Sequence, residues 1–232
     1  MLAEERKRRI VELLNQQGVV RVTDLSQEMD VAEATIRHDL SDLQDLGLAV
    51  RIHGGAKQPN VSGHKMTLDE NLEKCKEERR SIGECGYKMI KRNDTIFLDS
   101  SATVLEVARC LSMNPIEGLT ILTTSFPIFQ VLSEVEEYAL IFVGGQYNRR
   151  LKSTSGYFAQ KTLELVHVDK AFIGVSGIDA SGFSGPYEEE TNIKHLSIVN
   201  SDAQYVLADH TKFFKSYLYR FAVPSEVKYL IT

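Results

Sequence analysis

The side chains best suited to bind a ligand lie in short polar stretches that follow predicted β-strands. Residues 99–103 (DSSAT) and 123–125 (TTS) each precede a predicted helix. Ser and Thr hydroxyls at a helix N-terminus offer donors beside free backbone N–H groups and the positive end of the helix dipole, which suits a phosphate. For a single loop, capping of the helix by the hydroxyl is the simpler interpretation. Two such loops side by side favour an anion site.

Charged residues near other strand ends extend this candidate site. Lys194 and Lys212 are available in sequence as counter-charges for an anion. Asp99, Asp179 and Asp209 would then bind sugar hydroxyls. The full set of predicted ligand-binding residues is Asp99, Ser100, Ser101, Thr103, Thr124, Ser125, Gly144, Gly145, Asp179, Lys194, Asp209 and Lys212.

The elements that must hold these loops alternate between strand and helix. Such alternation indicates a parallel sheet covered on both faces. Ligands of such sheets bind beyond the carboxyl ends of the strands, where the polar loops lie. Helices are predicted at residues 68–91, 104–111, 127–135 and 188–200, and strands at 95–98, 119–122, 138–143, 171–173 and 204–208, with a last strand around KYLIT, residues 228–232.

A second candidate site lies near the N-terminus, in the amphipathic stretch of residues 31–46 that closes on Gly47. A helix-like run, residues 23–29, precedes it, and Asp30 and Val31 leave room only for a tight turn. In a helix-turn-helix, the second helix enters the DNA major groove and its exposed N-terminal side chains reach base edges. At about 100° per residue, one apolar face gathers Ala32, Ile36, Leu40 and Leu43.

The neighbouring segments favour a winged helix-turn-helix over an ordinary amphipathic helix. Residues 2–17 are predicted to form another amphipathic helix, which ends at Gly18. Residues 48–56 alternate between apolar and polar side chains and then turn at two glycines, as the edge strand of a small wing would. We therefore predict a DNA-binding domain over residues 1–57, a linker over 58–67 and an α/β ligand-binding and oligomerisation domain over 68–232. The predicted DNA-binding residues are Ala34, Thr35, Arg37, His38, Ser41, Arg51 and His53.

Charge is unfavourable for DNA binding in this region. Residues 1–57 carry eight Lys and Arg against ten Asp and Glu, a net charge of −2. Neutralised phosphates dominate affinity for DNA, so a local basic patch is expected. The cluster Arg6 to Arg9, with Arg37 and Arg51, could form that patch. We expect modest affinity per protomer and hence a homo-oligomer, a dimer or tetramer, that reads several half-sites together.

Composition sets broader limits. The 232 residues are 43% hydrophobic and 25% charged, which is ordinary for a globular chain. No apolar run approaches the ~20 residues that span a bilayer, and the N-terminus lacks the apolar core of a signal peptide. We expect a cytoplasmic protein that makes no membrane contact. Cys75, Cys85 and Cys110 show no C-x-x-C spacing, so neither disulfide, metal nor cofactor is expected.

Two groups of motifs resemble a known family. The run VTDLSQEMDVAEATIRHDLSDLQDLGLAVRIHGGA resembles the N-terminal signature of the DeoR family of bacterial transcriptional regulators. LDSSAT, TTS, GG, DKAFIG, SGID and ADHTK are similar to motifs of that family's effector domain, which is related in fold to ribose-5-phosphate isomerases and coenzyme A transferases. The resemblance implies that Thr35, Arg37 and His38 face an operator, with Arg51 and His53 near its backbone. It also implies that a phosphorylated sugar is bound by Asp99, Ser100, Ser101, Thr103, Thr124, Ser125, Lys194 and Lys212.

Three departures from the family pattern bear on function. His38 stands where Arg is usual, which replaces a permanent charge with one that changes near neutral pH. Ala32 stands where Ser is usual, so a capping hydroxyl is missing at a cost of ~1 kcal/mol unless Asp30 replaces it. Ser101 and Ala102 stand where Gly and Thr are usual, and losing Gly limits how closely backbone approaches an oxygen.

The sequence leaves three functions open. The first is a repressor of a carbohydrate-utilisation operon that a sugar phosphate releases from its operator. The second is a sugar-phosphate isomerase or acyl-transfer enzyme with an appended DNA-binding domain, using Asp99, Asp179 or Glu189 as acid or base. Fold resemblance alone does not confer chemistry, which disfavours it. The third is a regulator that has lost its ligand.

Overall fold

The computed structural model describes residues 3–46, 48–57 and 67–232. The chain divides into two compact units, residues 1–64 and 65–232. Residues 1, 2 and Gly47 lie outside the described residues, as does the predicted linker except for Thr67. Within the described ranges, no helix has both the length and the apolar character needed to cross a membrane.

Within residues 3–46 and 48–57, the N-terminal unit contains three helices and three short strands. Because residues on their inner faces are apolar, the helices bury a shared core made of Ile10, Leu14, Leu25, Ile36, Leu40 and Leu43. The sequence pattern does not predict the first strand, which is only three residues long and joins two helices. In chain order the elements are α1 (Ala3–Gln17), β1 (Val19–Arg21), α2 (Val22–Met29), α3 (Glu33–Asp45), β2 (Val50–Ile52) and β3 (Gly55–Lys57).

The wing is an antiparallel sheet in the order β1-β3-β2. Gly55 opens the central strand β3, where a Cβ atom would lie 2.1 Å from the carbonyl oxygen of Val20. Only a residue without a side chain allows β1 and β3 to approach so closely. The second glycine of the predicted turn is therefore a strand residue, and the turn itself is His53–Gly54.

The start of α3 differs from the prediction. Ala32 is exposed rather than part of the apolar face, and it is the N-cap of α3 without a side-chain hydrogen bond. Asp30 is the C-cap of α2 in the left-handed conformation, with φ of 50°. Thus Asp30 ends the preceding helix, and Ala32 contributes no hydroxyl to the next one.

The C-terminal unit is built on a six-stranded parallel sheet in the order β14-β12-β9-β4-β5-β6, with a second, antiparallel sheet β10-β11-β13 and a hairpin β7-β8. Two short 3-10 helices occupy His210–Lys212 and Pro224–Glu226. The elements are α4 (Leu68–Leu72), α5 (Lys76–Tyr87), β4 (Thr95–Leu98), α6 (Ala102–Met113), β5 (Thr120–Thr123), α7 (Phe126–Leu132), β6 (Ala139–Phe142), β7 (Gln146–Asn148), β8 (Ser153–Ser155), α8 (Gly156–Glu164), β9 (Val168–Gly174), β10 (Gly177–Asp179), β11 (Gly182–Gly185), α9 (Glu188–Val199), β12 (Ser201–Leu207), β13 (Tyr219–Ala222) and β14 (Tyr229–Ile231).

Helices cover both faces of the parallel sheet. Side chains alternate along β4, so Ile96 and Leu98 join the core with α5, α6 and α7, whereas Phe97 joins the core with α8 and α9. From β4 the chain continues outward to β5 and β6, and it then returns to the other side of β4 as β9. The carboxyl ends of β4 and β9 therefore border the crevice at which ligands of open parallel sheets bind.

The predicted helix over residues 68–91 is two helices. The helical conformation is interrupted at residues 73–75, where Cys75 adopts φ of 47°. The second helix, α5, ends at Tyr87. The buried Arg79 guanidinium donates to the carbonyl oxygens of Asn71, Leu72 and Lys74, which satisfies the end of α4. A charged side chain turned inward to bond backbone gives no signal in the apolar pattern.

A buried ion pair joins α1 to α3. The guanidinium of Arg6 donates through Nε and Nη2 to the two carboxylate oxygens of Asp39, at 2.5 and 3.2 Å. The two side chains are only 10% and 5% exposed. Removing one member of a buried pair leaves an uncompensated charge in a poorly solvated place.

We therefore expect Asp39→Ala to lower the free energy of unfolding of the N-terminal unit by about 3 kcal/mol. Urea denaturation followed by circular dichroism measures this loss. Glu28→Ala is the matched control, because it removes the partner of Arg9 in a pair whose side chains are 45% and 41% exposed. Equal midpoints for Asp39→Ala and the wild type would show that the pair does not hold α1 on α3.

Candidate functional site

The predicted DNA-binding side chains lie on α3 and the wing. Positions 34, 37, 38 and 41 share one helix face by their spacing. Ala34, Arg37 and His38 are exposed there, and Ser41 is half-buried, as is the adjacent Thr35. On the wing, Arg51 and His53 are both exposed. The part of α3 suited to a major groove therefore faces solvent.

Acidic residues of the same unit pair with this face. Arg37 lies 2.6 Å from Glu33, one turn earlier on α3. Asp42 contacts His38 at 3.2 Å and Lys7 of α1 at 2.5 Å. The hydrogen bond from the Lys7 ammonium is the main cause that lowers the pKa of Asp42. Contact with DNA phosphates must compete with these carboxylates.

Most cations of the cluster Arg6 to Arg9 already have acidic partners. Arg6 is buried against Asp39, and Lys7 pairs with Asp42. Arg9 pairs with Glu28 and with another acid of its own helix. These pairs lower the positive charge that three of the four cations can present to DNA.

The second candidate site centres on Asp99, the first residue after β4. One carboxylate oxygen of Asp99 accepts from the backbone N–H of Ser101 at 2.8 Å, and the other accepts from that of Gly174 at 3.0 Å. The Lys194 ammonium, from α9, donates to Asp99 and to the carbonyl oxygen of Gly174. Asp99 and Lys194 thereby join β4, β9 and α9 at the crevice.

All three N–H groups of the Lys194 ammonium already have acceptors, so none is available to an anion. Its three N–H bonds match three acceptors: Asp99, the Gly174 carbonyl at 2.9 Å, and Glu190 at 3.1 Å. Burial disfavours the charged form of Lys194, but the carboxylates of Asp99 and Glu190 outweigh it and raise the pKa above its usual range. The side chains of Lys194 and Asp99 are 4% and 2% exposed. The predicted roles of Lys194 as a counter-charge and of Asp99 as a sugar ligand are not supported by this geometry.

Two of the predicted hydroxyl ligands cap helices. Ser101 is the N-cap of α6 and accepts from the backbone N–H of Val104 at 3.2 Å. Ser125 caps α7 in the same way, accepting from Ile128 at 3.4 Å. Ser101 also packs so closely on Gly174 that a Cβ atom at position 174 would lie 2.2 Å from the Ser101 hydroxyl oxygen. Ser101 thus fills space between β9 and α6.

A cavity of about 170 Å³ lies beside this crevice. It contains two of the predicted residues, Ser100 and Thr124, together with the N-terminus of α9 and the hairpin β7-β8. None of the described residues that line it is Lys or Arg, whereas three are Glu. The Glu189 carboxylate accepts from the Ser155 hydroxyl at 2.9 Å. The lining is Ser100, Thr124, Asn148, Leu151, Ser153, Thr154, Ser155, Pro186, Tyr187, Glu188, Glu189, Glu190, Ile193 and Tyr219.

Sequence reasoning missed the hairpin and two of the three lining glutamates, Glu188 and Glu190, and it named Glu189 only as an acid or base of the enzyme alternative. The strands β7 and β8 are three residues long and polar, so they lack the apolar run that predicts a strand. The two strands pair in antiparallel register, with Tyr147 opposite Thr154. The backbone N–H of Thr154 also donates to the carbonyl oxygen of Thr124 at 2.9 Å, which joins β8 to the end of β5. The consecutive hydroxyls of residues 153–155, followed by Gly156, were the available signal for a polar site.

The remaining predicted residues lie outside the cavity. Asp179 accepts from the backbone N–H and hydroxyl of Ser181 in the β10-β11 turn. Asp209 follows β12, where it bonds Thr211 and lies 3.7 Å from Lys212. Thr103 is buried in α6, whereas Gly144 is exposed. Gly145 lies so close to the β7-β8 hairpin that a Cβ atom at this position would be 2.5 Å from the carbonyl oxygen of Ser155.

Family models match both units. Residues 6–61 match the DeoR-like helix-turn-helix domain, and residues 74–232 match the DeoR C-terminal sensor domain. The chain belongs to the DeoR family of transcriptional regulators. The winged helix-turn-helix and the α/β sensor domain predicted from sequence are thereby confirmed at the level of fold.

Similar proteins include regulators that this DeoR-family chain matches over its whole length. The transcriptional regulator GlpR of Haloferax volcanii is 31% identical, with 90% of its own length covered. The lactose phosphotransferase system repressor of Streptococcus mutans is 29% identical, with 92% covered. Among solved structures, ribose 5-phosphate isomerase A of Methanocaldococcus jannaschii is similar over 60% of this chain and 54% of the isomerase, with 18% identity and a TM-score of 0.43.

The geometry of Lys194 predicts a structural role in this DeoR-family chain. We expect Lys194→Met to lower the free energy of unfolding of the sensor domain by about 3 to 5 kcal/mol, because Asp99 would stay buried without its cation. Thermal or urea denaturation measures the loss. Lys161→Met is the control, since it removes the cation of a pair with Glu164 whose side chains are 53% and 42% exposed. A loss for Lys161→Met as large as that for Lys194→Met would contradict this assignment.

Proposed function

We propose that this DeoR-family regulator represses a carbohydrate-utilisation operon and leaves its operator when a phosphorylated sugar binds the sensor domain. The observation that carries the proposal is the cavity at the carboxyl edge of the sheet, lined by hydroxyls and carboxylates. The name of the lactose phosphotransferase system repressor, a relative matched over the whole chain, supports a sugar-related signal.

The cavity lining favours the polyol part of such a ligand. Carboxylates of Glu188 and Glu189 can accept hydrogen bonds from sugar hydroxyls, and Ser100, Thr124 and Asn148 can both donate and accept. With no Lys or Arg in the described lining, a phosphate would rely on backbone N–H groups rather than on Lys194 or Lys212. We therefore assign the hydroxyl-bearing carbons, not the phosphate, to the acidic side of the cavity.

Regulation would follow from unequal binding to two arrangements of the protein. A ligand that binds both arrangements equally shifts nothing, so the effector must favour the one with low operator affinity. Couplings of about 1 to 3 kcal/mol, roughly 5- to 150-fold, are typical. One α3 and one wing cover a single half-site, which favours a homo-oligomer that works in the cytoplasm, where operator DNA lies.

An enzymatic function is disfavoured by the positions of its candidate groups. Asp99 is bonded to Lys194 and two backbone N–H groups, and Asp179 is bonded within a turn. Only Glu189 of the three candidate carboxylates lines the cavity. We therefore propose a regulator that is not an enzyme.

Arg37→Ala should weaken operator binding by about 1 to 3 kcal/mol if Arg37 makes a bidentate base contact. Fluorescence anisotropy with an operator selected from random DNA measures the change. Glu33→Gln should instead tighten binding, because it removes a carboxylate 2.6 Å from that guanidinium. Arg109→Ala, at an exposed Arg paired with Glu106 on α6, is the matched control. An unchanged affinity for Arg37→Ala would remove this residue from the interface.

A selective rise in melting temperature should identify the effector within a panel of sugar phosphates, free sugars and inorganic phosphate. A ligand at about 100 times its Kd adds roughly 2.7 kcal/mol, equivalent to several degrees at ~2 to 4 °C per kcal/mol. Ser100→Ala should weaken binding about fivefold through one lost hydrogen bond. Ser112→Ala, at the far end of α6, is the control.

Chemical analysis of each compound after incubation distinguishes the alternatives. Recovery of the intact compound supports an effector, whereas conversion to a product would establish an enzyme. A panel without any shift would contradict sensing of a sugar phosphate.

A further inference from the structure

Three side chains with metal-binding atoms meet at the carboxyl end of β12, and none of the three lines the cavity. Cys75 lies between α4 and α5, Glu78 lies in the first turn of α5, and His210 begins the 3-10 helix after β12. The Cys75 sulfur, a Glu78 carboxylate oxygen and a His210 ring nitrogen all lie within 4.8 Å of one another. His210 is 132 residues from Glu78, so no local spacing motif could reveal this group.

The side chains are held near one another by bonds that do not involve a metal. The backbone N–H of His210 donates to one Glu78 oxygen at 2.6 Å, and the ring Nδ1 lies 2.7 Å from the other. Cys75 is the N-cap of α5 in the left-handed conformation. Arg79 holds the loop that carries Cys75, because its guanidinium donates hydrogen bonds to the carbonyl oxygens of Leu72 and Lys74.

The donor set selects the class of metal. A thiolate, an imidazole and a carboxylate together suit a borderline transition metal such as Zn²⁺, whereas Mg²⁺ and Ca²⁺ prefer oxygen donors alone. Zinc bonds of 2.0–2.3 Å place tetrahedral donor atoms about 3.3 to 3.7 Å apart. The three donor atoms are close enough that side-chain rotation can reach this geometry. Cys75 and Glu78 are half-buried and His210 is exposed, so an ion and a fourth, water ligand have access.

We propose that Cys75, Glu78 and His210 form a Zn²⁺ site. The ion displaces the Glu78–His210 hydrogen bond. It binds the thiolate of Cys75, the proton of which is released to solvent, and the neutral imidazole of His210, which keeps its single ring proton on the nitrogen that does not bind the ion. Zinc at this point connects the α4-α5 loop to the segment after β12 that carries Asp209 and Lys212. The site shares no residue with the cavity lining, so it does not depend on the proposed effector.

Titration of the metal-free 232-residue chain with Co²⁺ tests the site directly. We expect one equivalent to give a thiolate-to-cobalt charge-transfer band and visible bands of tetrahedral intensity, and Zn²⁺ to displace the cobalt. Cys75→Ser should abolish the charge-transfer band, and His210→Gln and Glu78→Gln should each weaken Co²⁺ binding at least about tenfold. Zn²⁺ should also raise the melting temperature of the wild type and not that of Cys75→Ser.

Matched controls separate this site from adventitious binding. Cys85→Ser and Cys110→Ser remove the other two thiols, and His167→Ala removes an exposed imidazole paired with Asp202. All three should keep the cobalt spectrum. A wild type without a charge-transfer band, or a band lost in Cys85→Ser or Cys110→Ser, overturns the proposal. If Cys75→Ser does not fold, the exposed His210→Gln decides, and unchanged Co²⁺ affinity in that variant also overturns it.

Discussion

The ion pair between Asp99 and Lys194 is the constraint on which the sensor domain depends. Two charges removed from water carry a large desolvation penalty, which is offset only when every proton and lone pair finds a partner. Here Glu190, the backbone of Gly174 and the N–H of Ser101 complete the set. The pair sits where the strand order reverses, and it joins α9 to the ends of both β4 and β9.

This constraint determines the character of the neighbouring cavity. Because Lys194 is neutralised within the fold, the cavity has no strong cation of its own among the described lining residues. The first turn of α9 carries Glu188, Glu189 and Glu190, which interact favourably with the helix dipole. The negative charge of these carboxylates offsets the positive end of the helix dipole, which would otherwise attract an anion. A chain with family motifs typical of phosphate binding therefore presents an acidic surface beside its crevice.

Elements with a strong apolar period could be predicted from the sequence, whereas side-chain partners could not. The sequence predicts the strand at residues 95–98 and the start of the helix at Glu188 where they occur. A strand buried on both faces has a continuous apolar run, and a helix buried on one face has apolar residues at helical spacing. Lys194 was predicted as a free counter-charge because sequence shows a residue's type but not the carboxylates that it meets. The break at Cys75 was missed because it depends on Arg79, and the β7-β8 hairpin was missed because its strands are short and polar.

The pair between Glu33 and Arg37 gives the helix proposed to read DNA a counter-ion of its own. When a free guanidinium meets a phosphate, the main gain is the entropy of the cations released from DNA. In the proposed operator complex, Arg37 would leave Glu33, and that carboxylate would take up a cation from solution, which would cancel part of the release. The dependence of operator affinity on salt would then be shallower than the number of phosphate contacts implies.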